Sequence, residues 1–124
     1  MSLKVELKPG ERLIVGGCVI TNSDQRTRLT IDGKLPILRE KDILKPEAAD
    51  TPAKLIYLAV QLMYLEGSFQ ASRTEYFNLV NAMAANYPGS VPLLDAINNE
   101  ILTNNLYKAL KASKKLIQFE QEQT

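Results

Sequence analysis

LKVELKPGERLIVGGCVIT, residues 3–21, decides the first half of the fold. Leu3, Val5 and Leu7 alternate with Lys4, Glu6 and Lys8, the two-residue period of a strand with one buried face. Pro9-Gly10 marks a turn, Arg12 to Val15 reads as a second strand, and Cys18 to Thr21 as a third beyond the flexible pair Gly16-Gly17. Between Gly17 and Val19, Cys18 is expected as a small buried hydrophobe. Downstream, Arg28, Thr30 and Asp32 alternate with Leu29 and Ile31 in a fourth strand. Asp32-Gly33 is a short-hairpin signal leading into Leu35 to Leu38. These strands predict a small antiparallel β-sheet or barrel over residues 1–48. About 40 residues is marginal for an independent core, so this lobe is expected to fold as one cooperative unit with the remainder of the chain. Its unpaired strand edges predict a homo-oligomer.

Near residue 45 the spacing changes to that of helices, which predicts a C-terminal bundle of three to four helices over 49–124 and an α+β fold class. In DTPAKLIYLAVQLMYLEG, residues 50–67, Asp50 or Thr51 can cap a helix, Pro52 suits its first turn and Gly67 can close it. Its leucines cover more than one face, so the helix is expected to be mostly buried. The 11-residue apolar run Leu55–Leu65 contains Gln61 and falls well short of the roughly 20 residues a membrane span needs. A second helix is expected from about Ser68 to Asn86, ended by Pro88-Gly89. Ser90 then caps a third stretch, which is either one long helix or two with a break at Thr103-Asn104-Asn105. Glu120 to Thr124 are polar and expected to fray.

Composition narrows the function. The 124 residues carry 15 Lys and Arg against 14 Asp and Glu, a net charge of +1, so any nucleic-acid site must be a local patch. With no histidine, His-dependent triads and imidazole metal ligation are excluded. A single cysteine forms no internal disulfide, which fits a cytoplasmic protein. The nucleotide-binding glycine motifs are missing; Asp95 and Glu100, five apart on an expected helix, diverge, Asp24 and Asp32 sit near turns, and Glu120 and Glu122 lie in the tail. These exclusions point away from an enzyme, with no cofactor and no metal.

The basic residues are more informative. Arg26, Arg28, Lys34, Arg39 and Lys41 fall in one 16-residue stretch around the expected hairpin, with Lys8 at the end of the first strand. If Leu29 and Ile31 face the core, Arg28 faces outward, where guanidinium groups can hold a phosphate backbone and stack on unpaired bases. These six residues are the candidate RNA-binding site. Asp24, Asp32, Glu40 and Asp42 lie nearby, so the competing reading is an ordinary solvated face. A second basic group, Lys108, Lys111, Lys114 and Lys115, sits on the last helix.

The runs LKVELKPGERLIVGGCVITN, DQRTRLTIDG, PILREKDIL and ADTPAKLIYLAVQLMYLEG closely resemble the FlbT family, the flagellum biosynthesis repressors of alphaproteobacteria, from Leu3 to about Ile117. The resemblance implies a post-transcriptional regulator that binds the 5′ untranslated region of flagellin messenger RNA, promotes its decay and represses its translation. Leu3, Val5, Gly10-Glu11, Ile14, Gly16, Arg28 to Ile31 and Arg39-Glu40 are also similar in order to carbon-storage regulators of the CsrA type. That likeness implies a CsrA-like β lobe with RNA contacts near Val5, Leu7, Lys8 and Arg39, although Leu7 stands where the pattern has an arginine. The expected partner is thus a flagellin messenger leader. The alternative is a protein-binding adaptor for flagellin or another flagellar regulatory protein, with a groove in the helical half. No membrane partner is expected.

Overall fold

Val5 and Leu7 are buried while Lys4, Glu6 and Lys8 are exposed, so the opening two-residue period is a strand with one core face. The computed structural model describes residues 2–123, which divide into two compact units, one ending at Ile43 and one beginning at Leu44. The first holds β1 (Ser2–Leu7), β2 (Arg12–Val15), β3 (Cys18–Thr21), β4 (Thr27–Asp32) and β5 (Ile37–Arg39). β1 pairs antiparallel with β4, from Ser2 opposite Asp32 to Leu7 opposite Thr27. β2 is the centre of a second sheet, antiparallel to β3 on one side and β5 on the other. Val5, Leu7 and Leu13 form the core, with Val15, Leu29, Ile31 and Ile37 packed against it. Both sheets supply this cluster, and each buried Val or Leu contributes roughly 1.5–3 kcal/mol. Gly16 turns β2 into β3 with φ 59°, the positive value that the first central position of a two-residue hairpin loop needs.

The expected hairpin at Asp32-Gly33 does not form, since β4 pairs with β1 and β5 with β2. Residues 33–36 instead carry the chain from one sheet to the other. Pro36 has no N–H to give a ladder, and its carbonyl accepts a 2.8 Å bond from the Gly16 N–H, so β5 starts only at Ile37. Leu35, expected within that strand, is 63% exposed. Cys18 is likewise exposed rather than buried. β3 is an edge strand outside the core cluster, and its four residues are all exposed.

The second unit holds α1 (Pro52–Glu66), α2 (Arg73–Asn86), α3 (Val91–Leu102) and α4 (Leu106–Glu122). The Thr51 hydroxyl caps α1 by accepting from the Lys54 N–H at 3.3 Å, and Pro52 occupies the first helical position. Gly67 ends α1 with φ 69°, the left-handed conformation that costs a side-chain-bearing residue most. A 3-10 turn, Phe69–Ser72, leads into α2. α3 and α4 are two helices, separated at Thr103–Asn105, where Asn104 takes φ 60°. α4 packs against both α1 and α3, and α2 packs against α1. Ile56, Val60, Met63, Met83, Ile97, Leu110 and Leu116 are fully buried in this unit.

Two helix-end expectations change. The Ser90 hydroxyl donates to the Tyr87 carbonyl at 2.6 Å, inside the 3-10 turn Pro88–Ser90, and does not cap α3. The polar tail does not fray where it was expected to, because α4 continues to Glu122 and Glu120 is buried. The Glu120 carboxylate accepts a 3.0 Å hydrogen bond from the Ala53 N–H, one of the unpaired donors at the start of α1. Of the residues expected to fray, Thr124 lies outside those described. Among the described residues, no helix is long and apolar enough to cross a membrane.

Candidate nucleic-acid interface

The outward face of the β1–β4 pair follows from its register. Val5 opposite Leu29 and Leu3 opposite Ile31 point one way, so Lys4 opposite Thr30 and Glu6 opposite Arg28 point the other, into solvent. Arg26, just before β4, reaches back to Glu6 with a 2.8 Å ion pair between Nη1 and Oε1. That hydrogen bond holds the Glu6 carboxyl below the usual glutamate range, against a small desolvation, and the charges of Arg26 and Arg28 act in the same direction. The Ser2 hydroxyl donates to Asp32 at the far end of the face.

Lys8 extends the same end of the sheet. Leu7 is the partner of Thr27, so Lys8 and Arg26 follow on opposite strands. The Lys8 N–H donates to the Glu11 carboxylate at 2.8 Å, which orders the turn into β2. The side-chain amide of Asn22 donates to the carbonyls of Leu7 (3.2 Å), Lys8 (2.9 Å) and Gln25 (2.8 Å). One amide therefore ties the loop before Arg26 to the turn that carries Lys8. An anchor of this kind limits the freedom a cationic loop would otherwise lose on binding.

Of the six candidate residues, Lys8, Arg26 and Arg28 lie at this end of the β1–β4 sheet. Lys34 lies past the opposite end of β4, beyond Asp32. Arg39 is half-buried on β5, opposite Leu13 in the other sheet, and Lys41 is exposed in the 3-10 turn Glu40–Asp42. Lys4 was missed. It shares the outward face with Arg28, and its alternation with Val5 was the available signal. Asn22 was missed too, and nothing but its place in a polar turn pointed to it.

Residues 1–43 contain no Phe, Tyr or Trp, so this face can grip phosphates with guanidinium and ammonium groups but has no aromatic platform for bases. On α4 the Lys111 ammonium sits 5.2 Å from the centre of the Tyr107 ring, while Lys108 and Lys115 are exposed. The helical unit carries an unexpected arginine–aromatic group, in which Arg73 lies 5.9 Å from the ring centres of both Phe69 and Phe77. Among the described residues, no group of three or more Cys, Asp or Glu side chains could hold a metal ion.

Residues 3–124 match the family model described as Flagellar protein FlbT. The chain is 59% identical to the probable flagellum biosynthesis repressor protein FlbT 1 of Bradyrhizobium diazoefficiens, across 98% of this chain and 84% of that protein. Its identity to the probable repressor FlbT of Rhodopseudomonas palustris is 49%, across 98% of this chain and 97% of that one. To the flagellum biosynthesis repressor protein FlbT of Caulobacter vibrioides it is 39% identical, across 98% and 89%. No solved structure matches the chain.

Proposed function

The chain belongs to the FlbT family of flagellar proteins, and from that premise we propose that it regulates flagellum biosynthesis by binding the 5′ untranslated region of flagellin messenger RNA. Binding there represses translation and promotes decay of the messenger, in the cytoplasm and without a catalytic step by this chain. The names of its relatives, flagellum biosynthesis repressors, support the regulatory part. The observation that carries the RNA part is the grouping of Lys8, Arg26 and Arg28 around Glu6 at one end of an exposed two-stranded sheet. In a chain of net charge +1, such a grouping is the local patch that phosphate binding requires.

In this reading, Arg26 and Arg28 each give a charge-assisted hydrogen bond to phosphate, with Lys8 and Lys4 at the margins. Arg26 exchanges Glu6 for a phosphate oxygen. Recognition then rests on the backbone of an unpaired segment and on guanidinium stacking. Arg39 and Lys41, on the other sheet, contribute at most a separate contact.

The test is a salt titration of binding between the full chain and a flagellin leader RNA. Log affinity falls with log salt by roughly 0.7 per phosphate neutralised on a single strand, so Arg28→Glu should flatten the slope by about that amount. Losing one charge-assisted bond should also weaken binding by about one to two decades. Lys108→Glu, on an exposed site of α4, should leave both unchanged. Wild-type binding by Arg26→Glu and Arg28→Glu together would sink the assignment of this face.

A further inference from the structure

α1 is apolar on more sides than its own bundle uses. Ile56, Val60 and Met63 are fully buried in the core, yet Leu55 and Leu62 remain 38% and 43% exposed. Together with Leu58 and Leu65 these two form a stripe spaced by three, four and three residues, the seam spacing of a helix packed against another helix. Facing the stripe across a groove of about 740 Å³ are Glu75, Asn78 and Leu79 of α2. Ser72 and Ala59 also line the groove, and the Ser72 hydroxyl donates to the Ala59 carbonyl at 2.6 Å. That bond seats the turn before α2 directly on α1, at small residues, and the leucines flank it.

We propose that this groove docks an amphipathic α-helix of a partner protein, with apolar side chains at helical spacing along the leucine stripe and a lysine or arginine against Glu75. Three features favour this occupant. The stripe runs 10 residues along α1, about 15 Å, which matches i, i+3, i+7 and i+10 anchors on an incoming helix. Glu75 is the charged residue of the lining, it is exposed, and among the described residues its side chain forms no hydrogen bond or ion pair. A carboxylate at the edge of an apolar groove attracts a basic side chain and repels the head of a fatty acid or phospholipid. The groove lies wholly within the helical unit, so the inference does not rest on the RNA reading.

The probe is a panel of fluorescent helical peptides of about 18 residues, with leucines at i, i+3, i+7 and i+10 and one lysine stepped through the flanking positions. Each has a partner peptide with glutamate in place of the lysine, and binding to the full chain is read by anisotropy. At least one lysine peptide should bind better than its glutamate partner, and Glu75→Lys should invert that preference. Leu62→Glu and Leu55→Glu, at half-exposed positions that leave the core intact, should each weaken binding at least about tenfold, with thermal melts showing both variants folded. Several results would overturn the proposal. One is no binding by any peptide at about 100 µM, and another is binding indifferent to both leucine variants. A wild-type dimer that Leu62→Glu splits into monomers would assign the groove to a second copy, and oleate bound in place of the peptides would assign it to lipid.

Discussion

Glu120 should be the tail residue on which the helical unit depends most. Glu120 is 6% exposed and its carboxylate accepts the Ala53 N–H at 3.0 Å, while Ala53 itself is 0% exposed. Removing the side chain leaves the buried Ala53 N–H without its partner. A hydrogen bond to a charged acceptor contributes about 1.5–3 kcal/mol, and a carboxylate at a helix start adds a few tenths that partly overlap with it. Glu120→Ala should therefore cost about 2–3 kcal/mol. Glu120→Gln keeps the volume and an acceptor oxygen but loses the charge, so it should cost about half as much. The assay is urea unfolding of the full chain followed by far-UV circular dichroism, with an unchanged slope showing that only stability has moved. Glu122→Ala, two residues on and exposed, should leave the midpoint where it was. If Glu120→Ala unfolds within about 0.5 kcal/mol of wild type, the contact carries no weight and the tail is dispensable.

Two titrations probe the other polar contacts. Glu6 is held below the usual glutamate range chiefly by the Arg26 hydrogen bond, so the pair stabilises the fold above the unfolded-state pKa and is lost as pH falls through the folded one. The carboxyl carbon resonance of Glu6 should accordingly titrate at lower pH in the wild type than in Arg26→Ala; identical midpoints would mean the pair does not persist in solution. Tyr76 is buried, its hydroxyl donates to the Asn98 side-chain oxygen, and burial pushes its pKa well above that of a free tyrosine. Its contribution is present below about pH 10 and is lost as pH rises through the folded value. Tyr76 should therefore ionise only above the usual tyrosine range; Tyr76→Phe should remove that late step from an ultraviolet pH titration and cost about 1 kcal/mol in the same urea assay, and a titration left unchanged by the substitution would contradict this.

Local pattern carried the strands because each is short and its faces differ in polarity. The alternation of Val5 and Leu7 with Glu6 and Lys8 needs no knowledge of partners to be read. Pairing is another matter, since Asp32-Gly33 is as good a hairpin signal as Gly16-Gly17, and only the second closes one. The difference lies in Pro36 and in the core shared by both sheets, which draws Ile37 to β2 rather than to β4. Cys18 failed for a related reason: an apolar strand is buried only where other side chains pack on its face, and β3 lies outside the core cluster. The tail failed because Glu120 finds its partner 67 residues away, a distance over which no spacing rule speaks.

The same limit governs the candidate site. Arg26 to Lys41 form one basic stretch along the chain, but the register divides them, with Arg28 opposite Glu6 on one sheet and Arg39 opposite Leu13 on the other. What the fold adds is the placement of Lys8, already a candidate in the sequence, beside Arg26 through the Leu7–Thr27 pair, and Lys4 on the shared face. It also adds the acid. Glu6 looks at first like the ordinary solvated-face partner that would argue against an RNA contact, since its ion pair with Arg26 already neutralises one cation. Both groups are exposed, however, and an exposed pair of this kind is worth little and exchanges readily. On the proposed reading Glu6 keeps the Arg26 guanidinium extended along the sheet, so an arriving phosphate meets an oriented donor rather than a free side chain that must be ordered. Displaced from Arg26, Glu6 still faces Arg28 across the strand pair and is not left without a counter-charge. A carboxylate between two arginines is in this way a component of a phosphate grip, and near-neutral composition is no argument against one.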